Sequence, residues 1–232
     1  MAKIKYSALV SDVRNKLNGS VMSKNRYGSY MRNKTTPVNP QTTFQQNVRA
    51  QLAANSQAWG GLSEAKREGW RALAAELPFT DIFGDSKILA GNSLYNKLNG
   101  NLNKIGKASI SDAPIKISVP SLLTFSVAAV AAVNVLTSLT LTFTPTPIPA
   151  GYSLVVYATP GISPGRNFVK NQFRLITAIA ETTASPVNIF TAYSTRFGAP
   201  AEDQKIFVRV ALVSNDTGQQ GIPLEAVAIV TV

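Results

Sequence analysis

From about Ala113 onward the chain becomes a train of short runs in which apolar and polar residues alternate, and no other feature constrains the fold as strongly. The runs are SLTLTFT, with Leu139, Leu141 and Phe143, then YSLVVYAT, FRLITAIAE, VNIFTAY, KIFVRVALV and LEAVAIVTV. Turn-rich pieces separate them: PTPIPAG, PGISPG, ASP, GAPAED and SNDTGQQGIP. Alternation with period two lets one face of each strand enter a core while the other meets solvent. About seven strands at this spacing predict an antiparallel β-sandwich of immunoglobulin or fibronectin type III kind (Ig/FnIII-like) over residues 113–232. A seven-stranded barrel is the structural alternative. The last strand is expected to run to Val232, leaving no C-terminal tail for recognition.

The preceding part is built from helix formers, so the predicted class is α+β. Asn39-Pro40 reads as a helix start, with Asn39 as N-cap and Pro40 at the first helical position. In QTTFQQNVRAQLAANSQAW, residues Phe44, Val48, Leu52 and Trp59 fall on one side and are expected to be buried. Gly60-Gly61 should end this helix. Ser63 should cap a second, SEAKREGWRALAAEL, with Trp70, Leu73, Ala74 and Leu77 on its apolar side. The short connection predicts a helical hairpin in which Trp59 and Trp70 share one core. A third helix is expected where Leu94, Leu98, Leu102 and Ile105 recur, ending at Gly106. Its amide-rich polar face, Asn92, Asn96, Asn99, Asn101 and Asn103, suits a protein contact. About three helices therefore make a small domain over residues 39–112.

Residues 1–38 read as an extended basic arm or a weak β-hairpin. Asn18-Gly19 is a hairpin-turn dipeptide, and a lone two-stranded ribbon needs something to lie against. The formal charge of +11 is concentrated at this end: residues 1–50 carry nine Lys/Arg against one acid, Asp12. Such a bias favours an acidic protein surface or a polyanion as partner. Lys24, Arg26, Arg32 and Lys34 with Tyr27 and Tyr30 are the candidate interface. Their charge is sparse for a nucleic-acid arm and suits an assembly arm whose aromatic side chains enter a partner's groove. A second basic and aromatic stretch, SPGRNFVKNQFR, adds Arg166, Phe168 and Lys170 as candidate contacts, with Arg174 and Phe173 beside them. The bland account of that stretch is a basic loop anchored by one buried phenylalanine.

Chemistry is hard to place. The chain has no cysteine and no histidine, which removes disulfides, thiolate metal sites, imidazole ligands and the usual neutral-pH general base. Asp81 and Asp85 flank IFG without a third acid, so no metal site is expected there. Glu202-Asp203 reads as turn chemistry, and Gly151, Gly161 and Gly165 form no nucleotide-binding fingerprint. No catalytic residue and no cofactor is expected. Residues 1–20 lack the apolar core of a signal peptide, and the run Val127–Val133 is far shorter than a membrane span of roughly 20 residues, so no membrane partner is expected.

One resemblance cuts across these readings. GSVMSKNRYGSYMRNKTTPVNPQTTFQQNVRAQL, SQAWGGLSEAKREGW and FGDSKILAGNSLYNKLNGNL follow one another in this order. Over about residues 10 to 110 the chain resembles a family of uncharacterised proteins from structural-gene clusters of tailed bacteriophages and prophages. The matching positions are Asn25, Arg26, Gly28, Tyr30 and Arg32; then Pro37, Asn39, Pro40, Thr42, Gln45 and Arg49; then Trp59, Leu62, Arg67 and Trp70. The resemblance implies a non-enzymatic virion component, whether head decoration, neck ring or tail part, found in the virion and in the host cytoplasm during assembly. It implies other virion structural proteins as partners and a homo-oligomeric arrangement. The alternative is a nucleic-acid-binding packaging or architectural accessory protein using the basic N-terminal segment. A carbohydrate-directed or hydrolytic β-domain is the weakest reading, because no pair of acids converges.

Overall fold

The structure, a computed structural model, describes residues 2–81, 83–132 and 135–231, the side chain of Val135 excepted. Ile82, the Val133 end of the run Val127–Val133 and the expected strand end at Val232 lie outside the described residues. The chain is α+β, with four helices among the described residues and sheets that are mostly antiparallel.

A four-stranded sheet opens the chain, in the order β1 (Ala2–Lys3), β4 (Gly28–Asn33), β3 (Ser20–Asn25) and β2 (Asn15–Leu17). Asn18-Gly19 closes the β2–β3 hairpin with Leu17 opposite Ser20, and Asn18 takes φ 50°. After Asn25 an extended path was one expectation; instead the chain folds straight back into β4. Asn25 Oδ1 accepts from the Tyr27 N–H at 2.9 Å, and Gly28 at φ 110° supplies the left-handed residue that the reversal needs.

Three helices follow: α1 (Thr43–Gly61), α2 (Glu64–Glu76) and α3 (Gly91–Lys104), with the short hairpin β5 (Phe79–Thr80) and β6 (Ser86–Lys87) before α3. The expected cap at Asn39 is not used. Gln41 at φ 49° breaks the path, and Thr42, extended at φ −63° and ψ 150°, accepts the Gln45 N–H on its Oγ1 at 3.4 Å. Trp70, Leu73, Ala74, Leu94, Tyr95 and Leu98 form the helical core, with Trp59 and Leu62 packed against it. The two tryptophans do share it: each ring packs on Tyr95, with centroids 5.4 Å and 5.2 Å away. Ser63 precedes α2 as expected, but its side chain makes no capping bond.

The rest is one seven-stranded sheet with the order β10 (Arg174–Ile179), β9 (Tyr152–Ala158), β12 (Lys205–Ser214), β13 (Leu224–Thr231), β7 (Thr124–Ala132), β8 (Val135–Thr144) and β11 (Val187–Asn188). Every pairing is antiparallel except β13 with β7, where Val230 and Thr231 lie parallel to Ala129 and Val130. The sheet curls, so that Leu139, Leu141 and Phe143 of β8 share one core with Leu154 and Val156 of β9 and Val208 and Val210 of β12. Its edges, β10 and β11, do not pair with each other, so it is not a closed barrel.

Two segments depart from the expected strands. VNIFTAY gives only the two-residue β11 and then a helix, α4 (Phe190–Phe197). Asn188 Oδ1 accepts from the Phe190 N–H at 2.9 Å, turning the chain, and helical spacing sets Tyr193 and Phe197 side by side at 5.3 Å. Tyr193 is thereby buried, with its hydroxyl donating to Thr159 O at 3.0 Å. β7 is the converse case: the alanine-rich run pairs with β8 along its length.

The helical layer meets the sheet at the turn after β12. Asn101 Nδ2 donates to Gly218 O at 3.0 Å, and the Lys104 ammonium lies 6.0 Å over the Tyr157 ring of β9. On that same face Val155, Ala211 and Val213 are buried as well. Gln219 fastens the linker, donating from Nε2 to Ile115 O at 2.7 Å and accepting the Ile117 N–H at 3.0 Å.

Candidate functional site

The basic and aromatic residues picked out in the N-terminal segment lie in or beside one small sheet but do not converge. Ser23 stands opposite Tyr30 and Val21 opposite Arg32, so Tyr30 and Arg32 share one face. Lys16, opposite Val21, joins that face. Lys24, opposite Ser29, points to the other face, together with Met22 and Met31. Arg26 and Tyr27 form the hairpin tip, and Lys34 lies just past β4, where its N–H donates to Gly19 O at 2.8 Å. Among the described residues, Lys16, Lys24, Arg26, Arg32 and Lys34 make no ion pair, whereas Lys3 and Lys5 do, with Asp81 and Asp85.

Those two pairs tether the sheet to the β5–β6 hairpin. Lys3 Nζ donates to Asp81 Oδ2 at 2.6 Å, and Tyr27 packs edge-on against Phe79 at 6.0 Å. The Lys3 hydrogen bond, helped by the Phe83 and Asp85 N–H groups, holds the Asp81 carboxyl down to about 2. Asp81 thus organises its own loop, and among the described residues no three His, Cys, Asp or Glu side chains come together as a metal would need.

In the loop between β9 and β10, Phe168 is 76% exposed, and the buried anchor is Val169, not a phenylalanine. Arg166 Nε donates to Phe168 O at 3.3 Å, and Arg209 stacks on Phe173 at 4.2 Å. Lys170 is exposed. The amide face of α3 is largely used inside the molecule. Asn99, fully buried, accepts the Ile110 N–H at 2.7 Å and donates to Ile110 O at 3.1 Å, and Asn101 holds Gly218.

None of the described residues 2–54 is buried; Asn55 is the first. The helix face expected in the core is open, with Phe44 56%, Val48 64% and Leu52 55% exposed. Leu9, Leu17 and Val38 are exposed too. The 19 residues of α1 outrun the 13 and 14 of α2 and α3, by about 8 Å at 1.5 Å per residue. Trp59 pins the C-terminal end of α1 on Tyr95, so the excess falls at its N-terminal end. Phe44, Val48 and Leu52, four residues apart in turn, thus form an exposed apolar stripe along α1.

Elsewhere titration is shifted by burial and by pairing. Burial pushes the Tyr95 and Tyr193 hydroxyls up, and Arg71 holds Glu64 below its usual range. Searches against protein-family models and against curated proteins find no match.

Proposed function

We propose that this chain is a non-enzymatic structural subunit of a tailed-bacteriophage particle, serving in head decoration, a neck ring or the tail. It attaches to neighbouring subunits through its N-terminal sheet and helical layer. The observation that carries this reading is that none of the described residues before Asn55 is buried, although the segment holds a four-stranded sheet and most of α1. A small sheet with neither face in a core is marginal alone and gains its stability from what it lies against. Burying the open half of Phe44, Val48 and Leu52 is worth about 1 kcal/mol each. The phage setting is supported by the resemblance of residues 10 to 110, and it makes the partners other virion proteins and further copies of this chain, in the virion and in the host cytoplasm during assembly. Lys24, Arg26, Tyr27, Tyr30, Arg32 and Lys34 are the first contacts, with Arg166, Phe168 and Lys170 on the sheet domain.

In this reading the curled sheet is an Ig/FnIII-like sandwich. Support comes from its two antiparallel halves, β10-β9-β12-β13 and β7-β8-β11, which share one core and are joined through a two-residue parallel pairing. Deleting residues 1–40 tests the assembly reading: particles should form without the protein while the truncated chain keeps a cooperatively unfolding β domain. Normal incorporation of the truncation would refute it.

A second reading has one observation in its favour. Lys16, Tyr30 and Arg32 share a sheet face, and neither base is paired among the described residues, which suits phosphate contact. Binding through these residues would weaken steeply with salt. Failure to bind DNA or RNA at low salt removes it.

A further inference from the structure

Where the open end of α1 meets the curled sheet, three arginines gather without an acid. Arg49 of α1, Arg174 of β10 and Arg196 of α4 line one groove of about 590 Å³ with Phe44 and Val48. The Arg196 guanidinium carbon sits over the Phe44 ring, 3.3 Å from the centroid, and its Nη1 is buried without a hydrogen-bond partner. Arg174 is held beside it, with Nη1 donating to Asn171 O and Phe173 O, both at 2.9 Å. No ion pair among the described residues involves any of the three. Burial, and after it the charge of Arg174, lowers the Arg196 pKa, the mark of a cation short of an anion.

The chain has little of its own to supply that anion. Of its twelve acids, eight already hold internal partners: Asp12, Glu64, Glu68, Asp81, Asp85, Asp112 and Glu225 in ion pairs, and Glu181 on the Gly151 N–H. A second copy, itself at +11, is a poor donor. An inorganic anion would satisfy the arginines but leave Phe44, Val48 and Leu52 in water. Aromatic and aliphatic side chains beside arginines are the composition of a protein contact.

We propose that Arg49, Arg174 and Arg196, with the Phe44, Val48 and Leu52 stripe, form a docking groove for an acidic, apolar segment of a different protein. A carboxylate of that segment pairs with Arg49 and Arg174, both exposed along the groove, and its apolar side chains cover the stripe. The proposal rests on the assembly reading and adds the chemistry of one neighbour.

The test is selection of binders to the folded full chain from a library of random short peptides. Enriched peptides should carry Asp or Glu beside aliphatic or aromatic residues. They should lose about ten-fold or more in affinity on the Arg49→Ala/Arg174→Ala double variant and on Phe44→Ser, with thermal unfolding of the double variant unchanged. Inorganic phosphate and single-stranded DNA should not displace them. No enrichment, enrichment without acids, equal binding to the double variant, or displacement by phosphate or DNA would each overturn the groove. Arginine-independent peptides together with loss of incorporation on deleting residues 1–40 would sink this proposal and leave the assembly reading standing.

Discussion

Gly218 is the point at which the helical layer and the curled sheet touch backbone to side chain, and adding one methyl group there should separate them. The residue sits at φ 68°, and a Cβ would lie 2.3 Å from Leu98 O, 3.0 Å from Leu98 C and 3.1 Å from Leu102 Cγ. An L side chain in that backbone region costs about 1–2 kcal/mol. Relief of the clash forces α3 away from a close-packed contact, at about 1–3 kcal/mol. The Asn101 hydrogen bond to Gly218 O, worth about 1 kcal/mol net, lengthens as α3 moves. Gly218→Ala should therefore destabilise by about 3–6 kcal/mol and lower Tm by roughly 6–24 °C at about 2–4 °C per kcal/mol. Gly165→Ala is the matched control, since a Cβ there meets nothing within 4 Å, and it should stay within about 0.5 kcal/mol of the parent. Chemical denaturation gives the difference, and amide exchange in α3 locates it. Equal stability of the two variants would refute the packing argument.

Two further substitutions probe the helical layer and its tether. Asn99→Ala strips partners from both backbone groups of Ile110 and should cost about 1–3 kcal/mol, measured by denaturant midpoint, whereas Asn92→Ala on the exposed side should cost little. The Asp81 carboxyl lies at about 2, below its ordinary 3.8, so its contribution is complete above pH 4 and is lost as pH falls toward 2. Asp81→Asn should flatten the loss of stability between pH 4 and pH 2; an unchanged acid profile would contradict the Lys3 tether.

The strongly periodic elements were legible in the residues alone. Leu139, Leu141 and Phe143 are buried on one face of β8 as alternation requires, and Leu94, Leu98 and Leu102 are buried on one face of α3. Alternation misleads at VNIFTAY, because a run of that length also fits two helical turns, and the turn made by Asn188 with the buried Tyr193 decides for helix. β7 was hard to see because alanine gives a weak contrast between faces: Ala129 and Ala131 are buried while Ala128 and Ala132 are not. The polar face of α3 misled differently, since amides chosen to satisfy Ile110 and Gly218 look in sequence like a surface awaiting a partner.

The candidate site was legible in charge but not in position. The excess of lysine and arginine before residue 50 was visible at once, yet strand register puts Lys24 and Arg32 on opposite faces. The apolar stripe of α1 is evident in the spacing of Phe44, Val48 and Leu52, but its exposure is not. Its exposure follows from a helix longer than its neighbours, and those lengths emerge only when the ends are fixed: Gln41 and Thr42 set the start, Leu62 the stop. The arginine groove draws on residues 49, 174 and 196, which only the fold brings together.

None of the described residues 2–54 is buried, and in the proposed assembly they gain a core from neighbouring subunits. Amide hydrogen exchange over this segment, compared between the isolated chain and intact particles that contain it, measures that gain. The account predicts rapid exchange through β1 to β4 and the first turns of α1 in isolation, beside a protected curled sheet, and strong protection of the same amides in the particle. Protection already present in the isolated chain, or none gained in the particle, would contradict it.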